Sequence, residues 1–143
     1  MYRRKIIIVV MFALIVIAIC GSSQADQKRE KSSMRMKINE EAVSVEWVDN
    51  ASVKALQERL PITVKMSMYG GFEQVGSLGQ SLPRNDKRIT TNAGDIMLYS
   101  GNQIVIFYGS NTWAYTKLGR ITNKTPSQLA EILSQSDATI TIY

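Results

Sequence analysis

From Met34 onward, apolar and polar residues alternate one by one. Met34, Met36 and Ile38 are separated by Arg35 and Lys37. Val43, Val45 and Trp47 enclose Ser44 and Glu46, and Ile62, Val64, Met66 and Met68 enclose Thr63, Lys65 and Ser67. Successive side chains of a strand point to opposite faces, so this period of two fits half-buried strands and no helix. Asn39-Glu40-Glu41 reads as the turn of a first hairpin. Further strands are expected at residues 74–78, 96–99, 103–108 and 114–121, and a last one carries Ile140 and Ile142 to the C-terminus.

Two stretches break the period. Asp49-Asn50-Ala51-Ser52 offers short side-chain oxygens to the free N–H groups of a first helical turn, and Val53, Leu56 and Leu60 follow on one stripe. Pro61 ends that helix, because the residue before a proline avoids the α region. In Thr125-Pro126-Ser127-Gln128, Thr125 caps, Pro126 suits the first helical position and Gln128 completes a capping box. Leu129, Ile132 and Leu133 supply the buried stripe of this second helix. Residues 69–94 contain Gly70, Gly71, Gly76, Gly79, Pro83 and Gly94 and read mostly as turns. Eight strands and two short helices in this order predict a mainly β domain closed into a barrel, which removes exposed edges.

Before the domain stands Tyr2-Arg3-Arg4-Lys5 and then an apolar run over residues 6–19. That run is shorter than the ~20 residues of a spanning helix and matches the apolar part of a signal peptide. Residues 1–25 are therefore expected to direct export, to the periplasm or the medium. Three processing readings stay open. Ser23-Gln24-Ala25 suits cleavage before Asp26; Cys20, directly after the apolar run, is a candidate for lipidation; and an uncleaved segment would tether the protein to a membrane. Residues 26–33 are polar and read as a flexible tether, and residues 34–143 as one domain.

Three of the 17 basic residues belong to the export segment, leaving 14 against 12 acidic ones, so the charge gives no reason to expect a nucleic-acid partner. The chain has no histidine, and Cys20 is its only cysteine. The domain thus lacks a Ser-His-Asp or Cys-His nucleophile system, a His- or Cys-based metal site and an internal disulfide. No cofactor and no metal are expected. Met34, Met36, Met66 and Met68 fill core gaps more simply than they bind copper(I).

Several stretches in the domain carry a family resemblance. Val48-Asp49-Asn50 leads into Ala55-Leu56 and Leu60-Pro61, followed by Ser81-Leu82-Pro83, Ala93-Gly94-Asp95-Ile96-Met97-Leu98-Tyr99 and Tyr115-Thr116-Lys117-Leu118-Gly119-Arg120-Ile121. In order and spacing the domain resembles a bacterial cyclophilin-like family. The resemblance implies a closed eight-stranded β-barrel with helices over its ends. It implies no activity. The prolyl isomerases that share this barrel carry a Phe-His-Arg run, which is absent here, so no catalytic residue is transferred.

Isomerisation needs no acid–base residue, only an apolar pocket and a donor to the prolyl nitrogen. Arg84, Arg88 and Arg120 are the candidate donors; an exposed loop (Arg84, Arg88) and strand-end packing (Arg120) are their plainer readings. Tyr69, Phe72, Tyr99, Tyr108, Trp113 and Tyr115 cluster near turns and strand ends. Phe72, Tyr108, Trp113 and Tyr115 are the candidate ligand-binding residues, against core packing as the alternative. The leading expectation is a non-catalytic module that binds a peptide or small ligand. A divergent prolyl isomerase and an assembly partner of an envelope protein are the alternatives.

Overall fold

The computed structural model describes residues 34–143; the expected export segment, Cys20 and the tether lie outside the described residues. The elements follow as β1 (Met36–Ile38), β2 (Glu41–Val43), β3 (Val45–Trp47), α1 (Ala51–Gln57), β4 (Ile62–Lys65), β5 (Ser67–Tyr69), β6 (Glu73–Ser77), β7 (Lys87–Thr90), β8 (Asp95–Tyr99), β9 (Gln103–Phe107), β10 (Thr112–Ile121), α2 (Pro126–Leu133) and β11 (Thr139–Ile142). All described strand pairs are antiparallel. A smaller sheet has the order β2-β1-β11-β4, and a larger one β3-β10-β8-β9-β6-β5, with β7 added beside β10.

The domain is mainly β with two short helices, as expected, but no sheet closes into a barrel. The reason lies at two corners. β2 is an edge of the smaller sheet and β3 an edge of the larger one, and only Ser44 separates them. β4 and β5 are the opposite edges, and only Met66 separates them. The two expected strands over 43–47 and 62–68 therefore each bend from one sheet into the other, as corners do in packed sheets. Chain continuity joins the sheets on both sides where a barrel would use ladders. At the first corner Ser44 N donates to Asn123 Oδ1 (2.9 Å) and Ser44 O accepts from Thr122 N (2.9 Å). At the second, Met66 N donates to Ala138 O (2.8 Å). Another difference is β7, which lies in the stretch read as turns and pairs with β10 from Thr90↔Thr112 to Lys87↔Tyr115.

The main core lies between the sheets. Met36, Ile38, Val64, Ile140 and Ile142 of the smaller sheet face Ile96, Leu98, Ile104, Ile106 and Leu118 of the larger. α1 adds Val53 and Leu56, and α2 adds Leu129 and Leu133. Both helix starts follow the sequence. Asn50 Oδ1 accepts from Val53 N (2.9 Å), and Thr125 and Gln128 form the reciprocal capping box. α1 stops at Gln57, earlier than Pro61 requires. Met34, Met36 and Met66 are core residues, whereas Met68 on edge strand β5 is 41% exposed. Among the described residues no helix is long and apolar enough to cross a membrane.

The larger sheet is buried on its other face too. Met97, Val105, Phe107 and Tyr115 form a second buried cluster there, with Phe72, Val75, Ile89 and Tyr99 packed around it. Met97 and Val75 both stand opposite Val105, so the cluster runs straight across three strands.

Candidate functional site

The second cluster is the floor of a cleft. Aromatic rings are built onto it by the strand register and one tight turn. The β5–β6 hairpin turns through Gly70 and Gly71, both at positive φ, where a side chain is strained. A Cβ on Gly70 would come within 2.4 Å of the Phe72 ring, so the turn needs glycine to seat Phe72. Tyr69 and Glu73 are register partners across this hairpin. Tyr69 meets Phe72 edge-on at 6.4 Å, Tyr99 meets Tyr115 at 6.2 Å, and Phe107 meets Tyr115 at 5.5 Å. Each such pair contributes about 0.5–1.5 kcal/mol beyond its buried area. Tyr69 and Trp113 rise from the rim, 64% and 54% exposed, an unusual exposure for large rings next to a buried cluster.

The cleft so formed holds about 520 Å³ and is lined by Tyr69, Phe72, Glu73, Val75, Tyr99, Gln103, Asn111, Trp113 and Tyr115. That volume lies within the range of small-molecule sites. Glu73 is its only carboxyl among the described residues and is 8% exposed. Its Oε2 has no hydrogen-bond partner among the described residues. Burial pushes its pKa from 4.5 up to about 7. Tyr115 is held above its ordinary value chiefly by burial, although its hydroxyl accepts from Asn111 Nδ2 (2.9 Å). A carboxyl that titrates near neutrality inside an aromatic cleft can accept a cation, or donate a proton when neutral.

A second cleft of about 440 Å³ shares Tyr115 with the first and is bounded by Asn50, Ser52, Pro83, Arg84, Asn85, Thr116 and Lys117. Several of its polar groups are engaged in hydrogen bonds. Asn50 Nδ2 donates to Lys117 O (2.8 Å), Ser52 Oγ to Pro83 O, Asn85 N to Thr116 Oγ1 (2.9 Å), and Thr116 Oγ1 to Asp86 Oδ1 (2.7 Å). These bonds tie the 82–86 segment to α1 and β10.

Residues 36–143 match the sequence profile of the cyclophilin-like family. The chain belongs to that family. Two solved structures are similar to this cyclophilin-like domain. The solution structure of a hypothetical protein from Archaeoglobus fulgidus has a TM-score of 0.58 at 18% identity, covering 76% of this chain and 91% of the other. McbB, solved in complex with tryptophan, has a TM-score of 0.56 at 12% identity, covering 76% of this chain and 43% of its own. This chain therefore spans less than half of McbB. At such identities both likenesses concern the fold alone. A comparison with curated proteins found no significant match.

The cyclophilin-like domain brings three of the four aromatic candidates together: Phe72, Trp113 and Tyr115 line the cleft. Tyr108 does not; it packs half-buried against the main core. The three arginines stand apart, and none lines the aromatic cleft. Arg84 lies in the second cleft with Nε 3.6 Å from Asp86 Oδ2. Arg88 is exposed on β7 rather than in a loop, opposite Ala114. Arg120 is exposed on β10, opposite Glu46 on one side and Asp95 on the other. Asp95 orders a turn, accepting from Asn92 N (2.8 Å). Glu73 is the residue that sequence reading missed. Its signal was its place two residues before Val75, on the same face of a strand.

Proposed function

We propose that this cyclophilin-like domain is a non-catalytic binding module that takes a peptide or small ligand in the aromatic cleft. One observation carries the reading. Five aromatic side chains, two of them largely exposed, surround a buried carboxyl oxygen that no described residue satisfies. Packing alone gives no reason to leave Trp113 and Tyr69 in water beside an unpaired polar atom, whereas an occupant of the cleft would cover both. McbB contributes fold likeness, and its ligand, tryptophan, has the kind of aromatic body such a cleft would take. Export, expected from residues 1–25, would present the cleft outside the cytoplasm.

The test is an amide NMR titration with a series of proline- and phenylalanine-containing peptides and with small aromatic compounds. Prolyl exchange is followed in the same samples. The expected result is a shift of amides in β5, β6 and the 109–115 segment with unaltered prolyl exchange. Accelerated exchange that is lost on Arg84→Ala, Arg88→Ala or Arg120→Ala would replace the proposal with a prolyl isomerase. No response to any compound would turn the search to an envelope protein that docks on the domain.

A further inference from the structure

Among the described residues three buried side-chain atoms lack a hydrogen-bond partner: Arg59 Nη1, Asp95 Oδ1 and Glu73 Oε2. Two of them have local compensation. The Arg59 guanidinium donates through Nη2 to Ser81 O (3.0 Å), and Asp95 Oδ1 has the Lys117 ammonium at 3.9 Å. No described ion pair includes Glu73. It is also the one of the three that lines the aromatic cleft.

The groups facing Glu73 sharpen the point. Tyr69 comes from β5, Phe107 from β9, Tyr99 from β8, and Tyr115 with Asn111 from β10 and the turn before it. None carries a positive charge, and among the described residues no lysine or arginine lines the cleft. Asn111 spends an N–H on the Tyr115 hydroxyl. The negative faces of aromatic rings attract a cation, and more strongly where water is excluded. An ionised buried carboxylate requires a counter-charge, and none of the described residues supplies one here.

Resting on the reading that the cleft binds a ligand, we infer that the ligand is an organic ammonium carried on an aromatic body. The ammonium meets the Glu73 carboxylate at the base of the cleft, and the ring packs among Tyr69, Phe72 and Trp113. A free amine and a peptide N-terminus share this chemistry. Only ionised Glu73 pairs with the cation, so binding weakens as the pH falls below about 7.

The experiment is calorimetric titration of the full-length protein with three probes of one shape: 2-phenylethylamine, 2-phenylethanol and 3-phenylpropionate. At pH 8 the amine is expected to bind at least about tenfold more tightly than the alcohol, and the anion least tightly. The amine's advantage should disappear in Glu73→Gln and shrink by at least about tenfold in the wild type at pH 5. Trp113→Ala, a change at an exposed position, should weaken the amine and the alcohol together. The tripeptide Phe-Gly-Gly separates the two sources: tighter binding than 2-phenylethylamine marks a peptide N-terminus, and weaker binding a free amine. Equal binding of amine and alcohol would overturn the ammonium assignment and leave the binding module standing. Failure of all three probes and of the tripeptide would overturn both.

Discussion

Glu73 and Gln74 are neighbours on β6, face opposite sides of the larger sheet, and are both buried, yet their polar groups are in opposite states. The Gln74 carboxamide is fully engaged: Nε2 donates to Leu133 O (2.7 Å) and Ser136 O (2.9 Å), and Oε1 accepts from Ala138 N (2.7 Å). It fastens β6 to the end of α2 and the start of β11. Glu73 leaves one carboxyl oxygen without a partner among the described residues. One face of the strand is finished structure; the other keeps a buried carboxyl on the aromatic cleft.

The two positions should therefore respond oppositely to mutation. Gln74→Leu strands the Leu133 carbonyl and the Ala138 N–H in the core and should cost about 2–4 kcal/mol. Glu73→Gln removes a buried charge that no described residue pairs and should leave stability at pH 8 equal or higher. Denaturant unfolding of both variants measures the contrast.

The pH dependence follows from the same carboxyl. The folded protein holds the Glu73 proton up to about pH 7, whereas the unfolded chain releases it near 4.5. Between these values the folded state binds more protons, so stability falls as pH rises. The contribution of Glu73 is fully present below the unfolded value and is lost as the pH passes through about 7. Thermal melts from pH 5 to 8 should show a steeper decline in the wild type than in Glu73→Gln.

The corner at Met66 brings β4 and β6 into close contact. A Cβ on Gly76 would lie 2.5 Å from Val64 Cγ1, 2.6 Å from Met66 Sδ and 2.9 Å from Lys65 O. The last of these is backbone and cannot move aside cheaply. Gly76→Ala should cost at least about 1–3 kcal/mol in denaturant unfolding. A neutral result would argue against the close approach of these strands.

Most elements were legible because they rest on local chemistry. The capping box at Thr125 and Gln128 and the alternation of Ile62, Val64 and Met66 specify helix start and strand face without tertiary information. The corners were not legible. Ser44 and Met66 continue the alternation without a glycine or proline to mark the bend, so two expected strands became four. The outer cluster did leave a mark: Ile96-Met97-Leu98 and Ile104-Val105-Ile106-Phe107 are unbroken apolar runs, which signify a sheet covered on both faces. Phe72, Trp113 and Tyr115 stood out as aromatics near turns. Glu73 did not, because an acidic residue beside a turn is ordinarily a solvated one.

The N-terminal reading has its own test. If Cys20 carries a lipid, Cys20→Ala should move the protein from the membrane fraction to the soluble one. Unchanged fractionation would favour cleavage before Asp26 or an uncleaved segment.

The most direct test of the cleft uses its own tryptophan. The two tryptophans have distinct environments: Trp113 stands on the cleft rim, and Trp47 Nε1 donates to Met34 O (3.0 Å) beside the main core. Their indole N–H resonances can be followed while 2-phenylethylamine is added to the full-length protein at pH 8. The account predicts a saturable shift of the Trp113 signal with Trp47 unmoved. A Trp113 signal that stays in place, while amides of Asn85 and Lys117 in the second cleft shift, would contradict it.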